Sequence, residues 1–278
     1  MVAIIRYEIL KTFLKWRTYI GFLAVLVVIP LVQIALKLSG NALTRSVTQG
    51  LGQEFIFIGN LLNGYFVTMF IMNFLWVHVP FLITLGAGDQ LAGEATGGTF
   101  RLLLIRPVSR TRIVFAKYFT TLLYTFALVA FLGVLSVALG LILFGTGDLI
   151  VPGQTFTLIP KDEVLWRLAV AYALSIWGMF CVASLAFLFS SLVENAIGPI
   201  IGAMAVIIVF YVVSTVPVDL FESIKPYLFT TYLNLWQKML VEPIPWSDIA
   251  TSVAALAGFS ACFYLATWYI FVKKDILS

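Results

Sequence analysis

Charge is scarce in this sequence. Asp, Glu, Lys and Arg make up 11% of its 278 residues, while 62% are hydrophobic. A soluble domain carries about 25% charged residues, so a soluble enzyme, a disordered chain and an ordinary nucleic-acid-binding module are excluded. Histidine occurs once, at His78, and cysteine twice, at Cys181 and Cys262. The cysteines fall in different apolar stretches without ligand spacing, which indicates neither a zinc site nor a disulfide framework. No H-E-x-x-H motif is present, and no G-x-x-x-x-G-K-[ST], so the chain has no phosphate-cradling loop of its own. No acid lies in the middle of an apolar stretch, whereas proton-driven carriers rely on buried acids or histidines. A lone His78 is more often a hydrogen-bonded packing residue than a proton or metal group.

What remains is apolar surface. Six windows lack any charge: 18–36, 55–88, 118–147, 168–193, 195–218 and 249–272. A bilayer core of roughly 30 Å needs about 20 apolar residues in a helix, and each window meets that length. The alternating strands of a membrane β-barrel are missing. The fold class is therefore an all-α integral membrane protein, one transmembrane domain over 1–278. Its six spans are expected at about 18–36, 65–87, 113–144, 168–193, 195–218 and 249–272. The fourth and fifth meet at a short turn around Glu194 and form an antiparallel hairpin. Gly198 and Gly202 make a G-x-x-x-G there, read first as packing within the subunit.

Cations set the orientation. Eleven lie in one set of connections (Arg6 to Arg17, Arg101 to Lys117, Lys273 and Lys274) and six in the other. The richer set belongs in the cytoplasm, which places both termini inside the cell membrane. Residues 1–17 form an amphipathic interfacial helix, with Val2, Ile5, Ile9 and Phe13 on the apolar face and Glu8, Lys11 and Lys15 opposite, a pattern that suits the cytoplasmic membrane surface. The outer segment 219–248 is aromatic, and its part 226–241 reads as a short helix at the outer leaflet, with Tyr232 and Trp236 as interfacial residues. A folded loop packed on the spans is the competing reading.

The inner segment 88–112 carries most information. The second span runs on to about Ala95, and Gly97-Gly98 break it. Thr99 caps a short helix over 100–105, Pro107 ends it, and Ser109 caps the third span. Leu102, Leu103 and Leu104 are too apolar for a solvated loop and call for a partner surface. Arg101 and Arg106 beside them can make charge-assisted hydrogen bonds to partner acids. Glu94, at the end of the second span, is placed to pair with a cation.

This segment resembles the permeases of ABC-2 type transporters. The matching residues are Glu94, Gly98-Thr99, Leu103-Leu104, Pro107-Val108-Ser109-Arg110 and then Lys117. The opening Arg6-Tyr7-Glu8-Ile9-Leu10 and the stretch Phe187-Leu188-Phe189-Ser190-Ser191-Leu192 resemble the family too, and the six-span plan agrees over essentially the whole chain. The resemblance implies a permease subunit of an ATP-driven exporter that binds no cofactor itself, ATP and Mg being held by a separate cytoplasmic ATPase. Two ATPase copies are implied, with a second permease, identical or homologous, and membrane lipids around them. It further implies that the helix between the second and third spans is the coupling helix, with Glu94, Gly98, Thr99, Arg101, Leu103, Leu104, Arg106, Pro107 and Arg110 at the ATPase contact. Two other classes remain: a carrier or channel driven by an ion gradient, and an integral membrane enzyme. The enzyme would need a convergent catalytic set at one face, and Asp89 and Glu94 have no His or Cys near them in sequence.

Overall fold

The computed structural model of the chain describes residues 1–49, 62–98, 108–152 and 157–273. Helix α1 (Val2–Leu14) leads through a 3-10 turn (Trp16–Thr18) into α2 (Tyr19–Gln49). Then come α3 (Gly64–Leu75), α4 (His78–Thr96), α5 (Arg110–Phe144), α6 (Lys161–Leu192), α7 (Gly198–Thr215) and, after an irregular stretch, α8 (Trp246–Lys273). Among the described residues five helices are long and apolar enough to cross a membrane, and a sixth crossing results if α3 and α4 count as one. The chain is thus a helical protein of membrane character.

The second window is where helix and expectation part. A single span over 65–87 is replaced by α3 and α4, bent by 58°. Pro80 supplies the cause. It has no N–H for the carbonyl of Trp76, and its ring clashes with that carbonyl, so the helix breaks one turn earlier. The start of α3 is fixed by Asn63, whose side chain accepts from the N–H groups of Tyr65 (3.1 Å) and Phe66 (3.0 Å). Its amide donates to the Asp148 carbonyl at 2.6 Å. Gly64 sits against α5, where a Cβ would meet the Gly140 carbonyl at 2.6 Å, so only glycine permits this approach. Gly145, at φ +72°, ends α5.

Two other boundaries differ. Helix α2 runs on to Gln49 instead of ending near 36, and α6 begins at Lys161, with Asp162 and Glu163 in its first turn complementing the helix dipole. Between α5 and α6 lies an antiparallel two-stranded ladder, β1 (Leu149–Val151) with β2 (Thr157–Ile159), that the all-α expectation lacked. Leu149 and Ile159 pair across it, both buried.

Between α7 and α8 the chain folds back into the bundle. A 3-10 segment, Phe229–Leu240, packs among α6, α7 and α8. Phe229 meets Phe210 of α7 at 5.9 Å and Phe263 of α8 at 6.0 Å. Phe263 lies 17 residues along α8 from Trp246, roughly 25 Å at 1.5 Å per residue. Trp236 is fully buried and packs against Trp76, beside the break, with ring centroids 5.6 Å apart and planes tilted by 51°. A side chain with no exposed surface cannot touch lipid, so at Trp236 the interfacial expectation gives way to a core contact. Tyr232 is half-buried and donates to the Pro226 carbonyl at 2.9 Å. Gly202 faces Phe189 of α6, a contact within the subunit.

Candidate functional site

The polar residues that an apolar bundle can least tolerate collect at one end, where α1, α4 and α5 meet. Helix α1 turns a polar side to the protein and leaves much of its apolar side outward. Glu8 and Thr12, one turn apart, are its buried residues, while Val2, Leu10 and Leu14 are exposed. An apolar stripe seeks the core only where water is the alternative. Here the core-facing side of α1 meets buried charge.

That charge is Lys117, in the second turn of α5 and 1% exposed. Its Nζ donates to Glu8 Oε2 at 2.9 Å and to Glu94 Oε1 at 3.0 Å. Lys11 of α1 also donates to Glu94 Oε1. Glu8 and Glu94 are each about 2% exposed. Burying such groups costs several kcal/mol per ion unless they are paired and hydrogen-bonded, and here each is. A second layer sits closer to the surface. Lys15 Nζ donates to Asp89 Oδ2 at 2.8 Å, and Arg17 Nη1 lies 3.5 Å from Asp89 Oδ1. Gln90 donates to Thr12 Oγ1 at 3.3 Å, and Thr18 to the Thr12 carbonyl at 2.5 Å. The first seventeen residues are thereby fastened to α4 and α5 by four ion-pairing cations.

The same end of α4 is fastened to α6. Ser190 Oγ donates to the Gly88 carbonyl (2.6 Å) and accepts from Leu91 N (3.0 Å) and Ala92 N (2.9 Å). Thr96 Oγ1 donates to the Glu194 carbonyl at 3.0 Å, which ties α4 to the α6–α7 turn. Gly98, at φ +64°, adopts the left-handed conformation that ends a helix. Beyond the next connection, Arg110 opens α5 and donates from Nη1 to the Val272 carbonyl of α8 at 3.0 Å.

Of the residues singled out at the inner segment, Glu94 belongs to the charge cluster, while Gly98 and Arg110 stand at the two roots of the 99–107 connection. Thr99, Arg101, Leu103, Leu104, Arg106 and Pro107 lie outside the described residues, as does the short helix expected over 100–105. Among the described residues, Lys11 of α1 and Lys117 of α5 meet Glu94. Sequence reasoning missed Glu8 and Asp89 as members of this cluster. The available signal was that Glu8 is the only acid among residues 1–20, surrounded by four cations. His78 stands apart: its ring stacks on Phe74 at 5.5 Å and its Nδ1 lies 3.1 Å from the Phe74 carbonyl. Among the described residues no three His, Cys, Asp or Glu side chains converge as metal ligands. What the arrangement does chemically is join three helices through charge.

At the other end Arg167 of α6, 4% exposed, donates through Nη2 to Glu163 and to Glu242, both at 2.6 Å. It holds the return of the 3-10 segment against α6.

Comparison with known proteins adds the following. The chain is 32% identical over 232 residues to the uncharacterized protein YhcI of Bacillus subtilis (strain 168), covering 77% of this chain and 70% of the relative. Residues 46–277 match a family described as protein of unknown function DUF2705. That match takes in α3 to α8 and, of the charge cluster, Asp89, Glu94 and Lys117 but none of the residues on α1, and the chain belongs to the DUF2705 family.

Proposed function

We propose that the chain is the membrane subunit of an ATP-driven exporter, of ABC-2 permease type, that receives work from a separate cytoplasmic ATPase. In this reading α2, the bent pair α3–α4, and α5 to α8 make six crossings, and the end that carries α1 faces the cytoplasm of the cell membrane. A second permease copy, identical or homologous, completes the path.

One observation carries the reading. The connection 99–107 is rooted at both ends in fixed structure: Glu94 and Thr96 before it, Arg110 and Lys117 after it. Three of those residues, Glu94, Arg110 and Lys117, come from the motif of the resemblance, and Glu94 and Lys117 meet at 3.0 Å. A segment held so close to its roots passes a push to α4, α5 and α1 together. Its Leu102, Leu103 and Leu104 suit a protein contact. The chain has no nucleotide-binding motif, so an exporter built on it draws its energy through a surface such as this one.

The experiment is affinity capture of the full chain from gently solubilised membranes, followed by identification of what co-elutes and by an ATP hydrolysis assay. Capture of a protein with a phosphate-binding loop, with ATP hydrolysis that depends on the present chain, is expected. Recovery of the chain alone, together with solute flux in vesicles driven by an ion gradient without ATP, refutes the proposal and favours a carrier.

A further inference from the structure

The outward face of α1, with the 3-10 turn Trp16–Thr18 that follows it, combines exposed apolar side chains with exposed cations. Its inward face carries Glu8 and Thr12. What turns outward is apolar or cationic. Val2 is 80% exposed, Leu14 81% and Trp16 77%, with Tyr7 and Leu10 about half exposed. Arg6 is exposed as well, and Arg17, 3.5 Å from Asp89 on one side, keeps 73% of its side chain exposed. Glu8, the one acid among residues 1–20, is withdrawn to Lys117. So the helix shows no negative charge outward, and its large apolar residues stand beside arginines.

We propose that this face docks on the headgroup layer of the adjoining bilayer and selects anionic phospholipid. The apolar residues enter the acyl boundary, as in interfacial amphipathic helices. Trp16 and Tyr7 suit the headgroup level, where amphipathic rings collect. Arg6 and Arg17 extend their guanidinium forks from that depth and bind phosphate oxygens in pairs. Each arginine near an anionic surface contributes roughly a fivefold preference. The exposed leucines and tryptophan argue for a lipid and against free phosphate, because a soluble anion gives them nothing to cover. The site is held in place from behind. The 3-10 turn Trp16–Thr18 joins α1 to α2, and Thr18 is fastened to the Thr12 carbonyl. Because Glu8 and Lys11 project from the same helix toward Lys117 and Glu94, lipid seated outside α1 also holds the charge cluster inside it. The proposal does not depend on the exporter reading, since its test reads lipid contact alone.

The purified full chain is reconstituted in phosphatidylcholine vesicles that contain a minority of lipid brominated on its acyl chains, either phosphatidylglycerol or phosphatidylcholine. Quenching of tryptophan fluorescence is measured, and Trp16 is isolated as the difference between wild type and Trp16→Phe. Trp16 should be quenched at least about twofold more by the brominated phosphatidylglycerol. Arg6→Gln, an exposed position outside the charge cluster, should lower that ratio, and Arg6→Gln with Arg17→Gln should bring it near one while the remaining tryptophans are unchanged. Equal quenching by the two lipids in wild type would overturn the selectivity. Absence of any Trp16 quenching would overturn the docking itself. A ratio that survives the double arginine variant would overturn the assignment to these residues.

Discussion

Lys117→Met puts the charge cluster to the sharpest trial. The substitution keeps an unbranched side chain of similar length and removes one cation. Glu8 and Glu94, each about 2% exposed, are then left near one another, and Lys11 still donates to Glu94. Removing one partner from a buried ion pair costs about 3–5 kcal/mol, because the abandoned charge has neither water nor a counterion. At roughly 2–4 °C per kcal/mol for a chain of about this size, the thermal midpoint should fall by about 6–20 °C. Lys11→Met should cost about 1 kcal/mol or less, since the Lys11 side chain is 25% exposed and water replaces it. Glu94→Gln placed on Lys117→Met should recover part of the loss, with a coupling of about 0.5–3 kcal/mol. The assay is thermal unfolding of the detergent-purified protein followed by tryptophan fluorescence. A Lys117→Met midpoint within about 2 °C of wild type, equivalent to less than about 1 kcal/mol, would refute the reasoning.

Two further outcomes are expected. Trp236→Ala, which empties a fully buried indole site next to Trp76, should destabilise by about 3–5 kcal/mol, whereas Tyr232→Ala should cost about 1–2 kcal/mol for its exposed bond to Pro226 and modest packing; equal losses in thermal unfolding would contradict the burial difference. For orientation, a cysteine at 97 should resist an impermeant thiol reagent in intact cells while one at 160 reacts, both in a Cys262→Ser background, and rapid labelling at 97 would reverse the proposed topology.

The apolar windows made most of the helices legible, because a stretch of twenty residues without charge has few other uses. Boundaries were less so. Helix α2 passes Lys37 and continues to Gln49, and α6 starts at Lys161, before its charge-free window opens, since a helix does not end where the charge-free run does. The break at Trp76–Val77 was written in Pro80 and was missed, because hydropathy alone does not register a missing N–H. The β1–β2 ladder has three residues per strand, too short for a periodic signal. At the site, Glu94 and Lys117 were legible as motif residues. The burial of Glu8 against Lys117 was not. A helical wheel separates polar from apolar faces but does not say which of them meets the protein, and Lys117 on a distant helix decides that.

The measurement that bears most directly on the central claim is ATP hydrolysis by the captured complex carrying Leu103→Asp. The account holds that 99–107 is the surface through which the partner's work enters. An aspartate buried there without a partner disfavours the interface. The prediction is that the variant folds, keeps the wild-type thermal midpoint, and loses either co-purification of the ATPase or the dependence of its hydrolysis on this chain. Wild-type co-purification together with wild-type coupled hydrolysis would show that the partner's work does not pass through 99–107, and the account would fail.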